Sequence, residues 1–472
     1  MLKVMQKLDK NFLRHCYMCV LALSSTIGFN VMRGMRETVI FQFGKNGAMY
    51  TPFFRIMSVL PISTLMFVYY LYVKRRFDTL TAYYAVVSPF LIYFVLFAVF
   101  SDPHAVATTQ YSGWLQAWIQ AYAPLELVAG AMVHWDKTIY YALCEIWGSF
   151  TLVILFWQIA NETYTDDQAA RLYPVFSMLG GAGIICSSII IRYMGRHPNI
   201  TVMATQLIVL LGLVNCWLVT KVWKACSEYR ATKPKILIGL RRGIKLALTT
   251  PHILYLSLCI ISFSILCNIY ENAVRNIILQ HFHSEQAVFS FWGGFYMGKG
   301  LLVISANILS KFLLRQFGWF YVAITTPIVS ILSIHLALTV PSINVGYTLG
   351  HAHYLLPLFA LLLQLNFAVK YAFFDPTKEM AYIPLSDEQK TYGKTIADGL
   401  GSRIGGISSG LIQTLAIFTA SGNQFAQIAP YLLIACSLVS ILWVWAMSNL
   451  SRSYTAMTTS QEAPALLLSP ST

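Results

Sequence analysis

Residues 201–221 read TVMATQLIVLLGLVNCWLVTK, and the last of them, Lys221, is the only charged residue in the run. A stretch of about twenty apolar residues is long enough to cross the hydrocarbon core of a bilayer as a helix. The whole chain has this character, because 57% of its 472 residues are hydrophobic and only 11% are charged. Soluble domains carry roughly a quarter charged residues, so the composition indicates a membrane protein.

Comparable runs recur along the chain and predict an all-α polytopic membrane protein with about twelve transmembrane helices. The predicted spans are 15–35, 52–73, 81–101, 138–160, 172–192, 201–221, 252–276, 287–309, 318–340, 353–374, 398–420 and 426–449. No signal-peptidase site follows the first run, which is therefore expected to stay in the protein as its first helix.

The distribution of Lys and Arg predicts the orientation in the membrane, since cytoplasmic loops carry an excess of both. Basic residues precede the first span, follow the second at 74–76 and fill the segment 221–245, whereas 341–352 and 421–425 contain neither Lys nor Arg. Both termini are therefore expected in the cytoplasm. The chain lacks a Ser- and Arg-rich transit peptide, which favours a bacterial inner membrane. The net charge of +14 is explained by these loops and by cations in a transport cavity, without a nucleic-acid partner.

A long basic loop at 222–250 is expected to divide the chain into an N-terminal half, 1–221, and a C-terminal half, 251–450. The Ser/Thr/Pro-rich tail at 451–472 is expected to be disordered.

An internal repeat supports this division. NVMRGMRETVI at 30–40 aligns with NIYENAVRNII at 268–278, and each segment ends the first helix of its half. Two six-helix repeats are the architecture of major-facilitator-type carriers, which is the arrangement that we expect here.

Charged residues inside the predicted spans are the first candidates for a site, because a charge at the bilayer centre costs about 2.5–3.5 kcal/mol. Arg33 and Arg36 are three residues apart and share one helix face, and planar guanidinium groups suit phosphate oxygens. Glu145 has no basic residue within a helical turn, so its carboxyl is expected to be protonated or paired across helices. Snorkelling arginines and a structural hydrogen bond of Glu145 are the alternatives.

Glu271 and Arg275 are spaced i, i+4 and correspond in the repeat to Arg33 and Glu37, with the signs reversed. We expect both to line the cavity, although an ordinary intrahelical ion pair is the alternative.

The densest group of charges follows the tenth predicted span, where residues 375–385 read DPTKEMAYIPL and Lys394, Asp398 and Arg403 come next. Pro376 and Pro384 are expected to bend or break the helix. Broken helices that carry charges often mark transport sites.

This motif closely resembles the signature of the ATP/ADP translocase family, the nucleotide transporters of intracellular bacteria and plastids. EIWGS at 145–149 is similar to the Glu-Leu-Trp-Gly-Ser of that family, and RGMRET at 33–38 to its Arg-x-x-Lys-Asp-Thr. FWQIAN at 156–161 is also similar, and the resemblance extends in order over most of the chain.

The resemblance implies a carrier, not an enzyme, that moves nucleotides across a lipid bilayer by alternating access, without cofactor or metal. The intramembrane Lys and Glu positions of the family correspond to Arg36, Glu145 and Glu271, and its downstream lysines to Lys378 and Lys394. Together with the cations found above, the expected substrate-binding residues are Arg33, Arg36, Glu145, Glu271, Arg275, Lys378, Lys394 and Arg403. The base is expected to stack on an aromatic ring such as Tyr270, Trp147 or Phe176.

Departures from the family pattern leave alternatives to ATP/ADP exchange. Arg36 and Glu37 replace a Lys and an Asp, and GGISS at 405–409 lacks a lysine. Net import of GTP or other nucleotides with protons, carried by Glu145 or Glu271, is the first alternative. A carrier of other organic phosphates is more remote. A membrane enzyme is disfavoured, because nothing near the acidic doublet at 166–167 completes a metal site.

Overall fold

The computed structural model describes residues 2–100, 124–164, 166–225, 248–343, 352–422 and 424–467, with a few isolated residues between these ranges. Within them the chain is helical, with short turns and no strand. The helices are α1 (Leu2–Phe41), α2 (51–76), α3 (Thr79–Phe100), α4 (Pro124–Val133), α5 (135–163), α6 (Asp166–Met194), α7 (Ile200–Ala225), α8 (Pro251–His281), α9 (Glu285–Ile343), α10 (352–382), α11 (Asp387–Lys394), α12 (395–420) and α13 (Phe425–Leu467).

Ten of the described helices are long and apolar enough to cross a membrane. All twelve predicted spans lie in described helices, except for residue 101, which is outside the described residues. Two of the spans, 287–309 and 318–340, fall in α9, where Gly318 breaks the helical backbone with a φ of 79°. A positive φ of this kind favours glycine, which has no Cβ to clash.

The span predicted at 398–420 is helical but is not among the ten, since its first turns are rich in glycine and carry Asp398 and Arg403. The prediction of an all-α polytopic membrane protein is nevertheless confirmed.

Four of the described helices contain a π-helical stretch, in which the backbone makes wider turns than in an α-helix. These stretches are Arg55–Val59 in α2, Ser149–Phe156 in α5, Lys370–Phe374 in α10 and Thr395–Gly401 in α12. Such turns are rare and occur frequently at functional sites. Each of the four contains a charged residue or begins within one turn of one.

The contacts divide the chain into two compact units. The first comprises 1–234 with 282–300, and in it α1 is the central helix, packed against α5, α6 and α7. The second comprises 235–281 with 301–472, and its central helix, α8, packs against α10, α12 and α13. The half boundaries at 221 and 251 remain a prediction.

A basic side chain of each central helix binds a backbone carbonyl at the end of a neighbouring helix. Arg14 Nη1 donates to the Thr163 carbonyl oxygen of α5 at 3.3 Å, and His252 Nε2 donates to the Ala381 carbonyl oxygen of α10 at 2.8 Å. The last carbonyls of a helix lack intrahelical partners, so each contact satisfies an otherwise unpaired group. The central helix is thereby anchored to α5 in the first unit and to α10 in the second.

The end of the chain differs from the prediction. Composition predicts disorder from residue 451, whereas α13 continues to Leu467 and only 468–472 lie outside the described residues. The first turns beyond residue 450 are packed, because the Tyr454 ring stacks on Trp319 with 4.8 Å between centroids. In addition, Ser453 Oγ lies 2.9 Å from His252 Nδ1. These contacts extend the helix past the apolar run.

Candidate functional site

Arg36 is the centre of a buried charge cluster in the first unit. Its Nε donates to Glu37 Oε1 at 2.9 Å, and its two terminal nitrogens form ion pairs with Glu37 and Glu145. The side chains of Arg36 and Glu37 are 4% and 0% exposed, whereas that of Glu145 is 27% exposed. A carboxylate removed from water requires a cationic partner; Glu37 has its partner on the same helix, whereas the partner of Glu145 comes from another helix. The charge-assisted hydrogen bonds join α1 to α5.

Arg55 belongs to the same cluster, although the sequence analysis did not select it. It begins the π-helical stretch of α2, its side chain is buried, and it interacts electrostatically with Glu145. Arg33, one turn before Arg36 on α1, also interacts with this carboxylate. The sequence could have indicated Arg55 as a candidate, because it lies three residues inside the predicted span 52–73, where a charged side chain costs free energy.

The corresponding segment of α8 in the second unit is also buried. Arg275 is 1% exposed and Glu271 is 7% exposed. Arg275 Nη1 donates to Asn272 Oδ1 at 3.0 Å, and Asn272 Nδ2 donates to Gln413 Oε1 of α12 at 2.7 Å. Arg275 is therefore held by an amide chain that connects the central helix to α12.

The charges of the 375–385 motif form a network of their own. Lys378 Nζ lies 2.9 Å from an Asp398 oxygen, 3.9 Å from Asp375 and 3.8 Å from Glu379. Lys370 Nζ lies 2.8 Å from the other Asp375 oxygen, and Lys394 Nζ lies 2.7 Å from Glu379. Since Asp398 is in α12 and Lys394 is in α11, the network connects three consecutive helices.

The two prolines of the motif have different effects on the helix. Pro376 is near the N-terminus of the segment Asp375–Tyr382, directly after the π-helical stretch Lys370–Phe374. Pro376 lies in the interior of α10, where its missing N–H removes one helical hydrogen bond, and the helix nevertheless continues through it. The helix ends at Tyr382, two residues before Pro384.

The predicted binding residues thus fall into separate groups. Arg33, Arg36 and Glu145 come together in the first unit, and Glu271 and Arg275 share one buried helix in the second. The cations of the 375–403 region are more accessible: Lys378 is 13% exposed, Lys394 is 54% exposed, and Arg403 is exposed on the first turn of the α-helical part of α12. The structure brings Lys378 and Lys394 to carboxylates of the motif.

The three aromatic rings predicted to stack on a base are buried in helix packing. Trp147 lies edge-on to Phe90 and Phe94 of α3, at 5.5 and 5.8 Å between centroids. Tyr270 donates its hydroxyl to the Phe359 carbonyl oxygen at 3.0 Å and is 0% exposed, and Phe176 is 2% exposed. A base could reach any of these rings only after the surrounding helices move.

Solved structures with the same arrangement of helices are transporters. The structure covers 92% of this chain and 98% of a bacterial homologue of the iron transporter ferroportin, with a TM-score of 0.58 and 14% identity. It covers 93% of this chain and 97% of a D-xylose–proton symporter, with a TM-score of 0.53 and 13% identity. At these identities the likeness establishes the fold. The chain therefore has the fold of major-facilitator-type transporters.

The sequence model of the TLC ATP/ADP transporter family matches residues 9–454, and the chain belongs to this family. It is 26% identical to ADP,ATP carrier protein 3 of Rickettsia bellii, over 93% of this chain and 94% of the relative. It is also 26% identical to ADP,ATP carrier protein 1 of Chlamydia muridarum, over 93% of this chain and 88% of the relative. The family resemblance inferred from the 375–385 motif is confirmed.

The motif network predicts unequal effects of its two lysines on stability. Lys378→Gln leaves Asp375 and Asp398 without their shared cation and should lower the free energy of unfolding by about 1–3 kcal/mol. Lys394→Gln removes only an exposed ion pair, which contributes about 0–1 kcal/mol. Thermal unfolding of the two variants in detergent measures the difference. An unchanged free energy of unfolding in Lys378→Gln would show that the network does not hold these helices together.

Proposed function

We propose that this protein exchanges ATP for ADP across a bacterial inner membrane by alternating access, with both of its termini in the cytoplasm. The similarity to ADP,ATP carrier proteins of Rickettsia and Chlamydia supports nucleotide substrates. The basic segments at 74–76 and 221–245 support cytoplasmic termini, because they follow even-numbered spans.

The observation that carries the proposal is the buried cluster around Arg36. A nucleoside triphosphate carries about four negative charges, and a site for it must offer several cations by Coulomb's law. Arg33, Arg36 and Arg55 exceed the two carboxylates, Glu37 and Glu145, with which they interact. The cluster formed by α1, α2 and α5 therefore presents three guanidinium groups, the form that suits phosphate oxygens.

In this proposal, exchange depends on a phosphate group replacing the Glu145 carboxylate at the Arg36 guanidinium group. Without substrate, Glu37 and Glu145 satisfy the guanidinium group. A phosphate group that binds Arg36 competes with Glu145, the more exposed of the two carboxylates. ATP and ADP both carry such a group, so each can perform the same displacement from its own side of the membrane.

Proton-coupled import is the second candidate function, and the exposure of Glu145 favours it. When phosphate binds Arg36, the Glu145 carboxylate loses its nearest cation, and its side chain is 27% exposed, so a proton could reach it. Uptake of one proton there would offset one substrate charge. Nothing in the arginine cluster selects a base, so GTP stays a candidate substrate together with ATP.

Uptake of labelled ATP, ADP, GTP and UTP into cells expressing the protein tests the proposal directly. We expect ATP to enter, to do so in the presence of an uncoupler, and to leave when excess unlabelled ADP is added outside. This result follows from exchange, because reorientation then needs a bound nucleotide and not a proton gradient.

Uptake of GTP that the uncoupler abolishes would replace exchange by proton-linked import. In that case Glu145→Gln should remove the pH dependence of uptake. Absence of any nucleotide uptake, in protein shown to be folded in the membrane, would contradict the proposed substrate class.

Arg36→Gln should raise the KM for ATP roughly tenfold or more, because charge-assisted hydrogen bonds to phosphate are lost. Arg36→Lys keeps the charge without the planar fork and should have a smaller effect. Arg75→Gln, which removes an exposed arginine from the end of α2, is the matched control and should leave the KM unchanged. Uptake kinetics, normalised to folded protein measured by gel filtration, would refute the role of Arg36 if Arg36→Gln behaved like Arg75→Gln.

A further inference from the structure

Phe29 is an aromatic ring beside the arginine cluster that is not fully buried. It lies on α1 one turn before Arg33, and the Arg33 Cζ atom is 5.9 Å from its ring centroid. Residues 29, 33 and 36 recur at helical spacing and so share one face of α1. Phe29 and Arg33 are both partly accessible, whereas every other residue from 28 to 40 is buried.

The position of the Phe29 ring depends on Gly148. A Cβ atom at residue 148 would overlap the Phe29 ring, so only glycine allows the ring to lie against α5 at this point. Gly148 belongs to the EIWGS motif and follows Glu145 by three residues, less than one turn of α5. The Phe29 ring is thus packed close to the helix that supplies the carboxylate partner of Arg36.

The ring and the cations have the order along α1 that a bound nucleotide requires. With a rise of 1.5 Å per residue, Arg33 and Arg36 lie about 6 and about 10 Å along the helix axis from Phe29. An extended nucleotide covers a comparable distance from its base to its terminal phosphates. The three rings predicted from the sequence, Trp147, Tyr270 and Phe176, are 0–2% exposed and are therefore less accessible to a base than Phe29.

We infer that Phe29 is the stacking platform for the nucleobase, while Arg33 and Arg36 bind the phosphates. The inference rests on the proposed function and adds a residue that positions the base. Base–aromatic stacking tolerates every base, because each has a π face. A phenyl ring has no hydrogen-bonding group, so Phe29 holds the base without distinguishing adenine from guanine. The role of Gly148 is then to leave the space that the Phe29 ring occupies.

Inhibition of ATP uptake by inorganic tripolyphosphate distinguishes a loss of base stacking from a general disturbance of helix packing. Tripolyphosphate has a polyphosphate charge like that of the substrate but no base. Phe29→Leu should raise the KM for ATP about fivefold or more and leave the inhibition constant of tripolyphosphate unchanged. Phe29→Trp keeps a ring and should retain the affinity for ATP. Phe12→Leu, which removes an exposed ring from the same helix (67% exposed), is the matched control.

The outcomes distinguish this inference from the proposed function. An unchanged KM for ATP in Phe29→Leu would overturn the stacking role, and so would equal losses for ATP and tripolyphosphate, which indicate disturbed packing. If the wild-type protein transported no nucleotide, the proposed function would fail first. Photo-cross-linking of the wild-type protein with 8-azido-ATP needs no variant. We expect the label in the α1 peptide that contains Phe29, and labelling only elsewhere would refute the inference.

Discussion

The pairing of Arg36 with Glu37 and Glu145 is the interaction on which the rest of this account depends. A guanidinium group that is 4% exposed inside a helix bundle is stable only with anionic partners, since removal of one partner leaves an uncompensated buried charge. Glu145 is 109 residues away in the sequence, so the pair fixes α5 against the central helix of the first unit. In the proposed function, a phosphate group competes with Glu145 for the same guanidinium group. Structural stability and the proposed substrate binding would therefore both depend on Arg36.

The 375–385 motif has a different physical character. Lys378 of the motif and Lys394 of the following helix lie 2.7–3.9 Å from carboxylates of the motif or of α12. Charges that compensate one another locally orient helices more than they attract a polyanion. The motif that identifies the family most clearly in the sequence thus joins α10, α11 and α12, whereas the buried arginine cluster of the first unit lies on α1 and α2. The residues that identify the family most clearly are therefore not the residues that we propose to bind the phosphates.

The membrane spans could be predicted from the sequence, because a helix is one of the few ways to satisfy backbone groups in lipid and needs about twenty apolar residues. The intramembrane charges Arg36 and Glu145 were likewise visible, since apolar surroundings make a charge conspicuous. Their pairing was not, because the choice of partner depends on which helices are neighbours. The cross-helix partner expected for Glu145 is found, but only the fold identifies it as Arg36.

Arg55 and Phe29, which belong to the proposed site, were not selected from the sequence, for different reasons. Arg55 lies three residues inside its predicted span and could be taken for an ordinary helix end, whereas in the structure it is buried. Phe29 is a common residue in an apolar run, and only the overlap with a Cβ at Gly148 and the nearby Arg33 distinguish it. The predicted stacking rings Trp147, Tyr270 and Phe176 have the right chemistry but face helix packing. Aromatic composition alone does not reveal which ring is accessible.

An experimental structure of the protein with bound ATP tests the central claim most directly, namely that phosphate takes the place of a carboxylate at Arg36. We expect phosphate oxygens within hydrogen-bonding distance of the Arg36 guanidinium group and the Glu145 carboxylate displaced from it. ATP bound elsewhere, with the Arg36–Glu145 ion pair intact, would contradict the account.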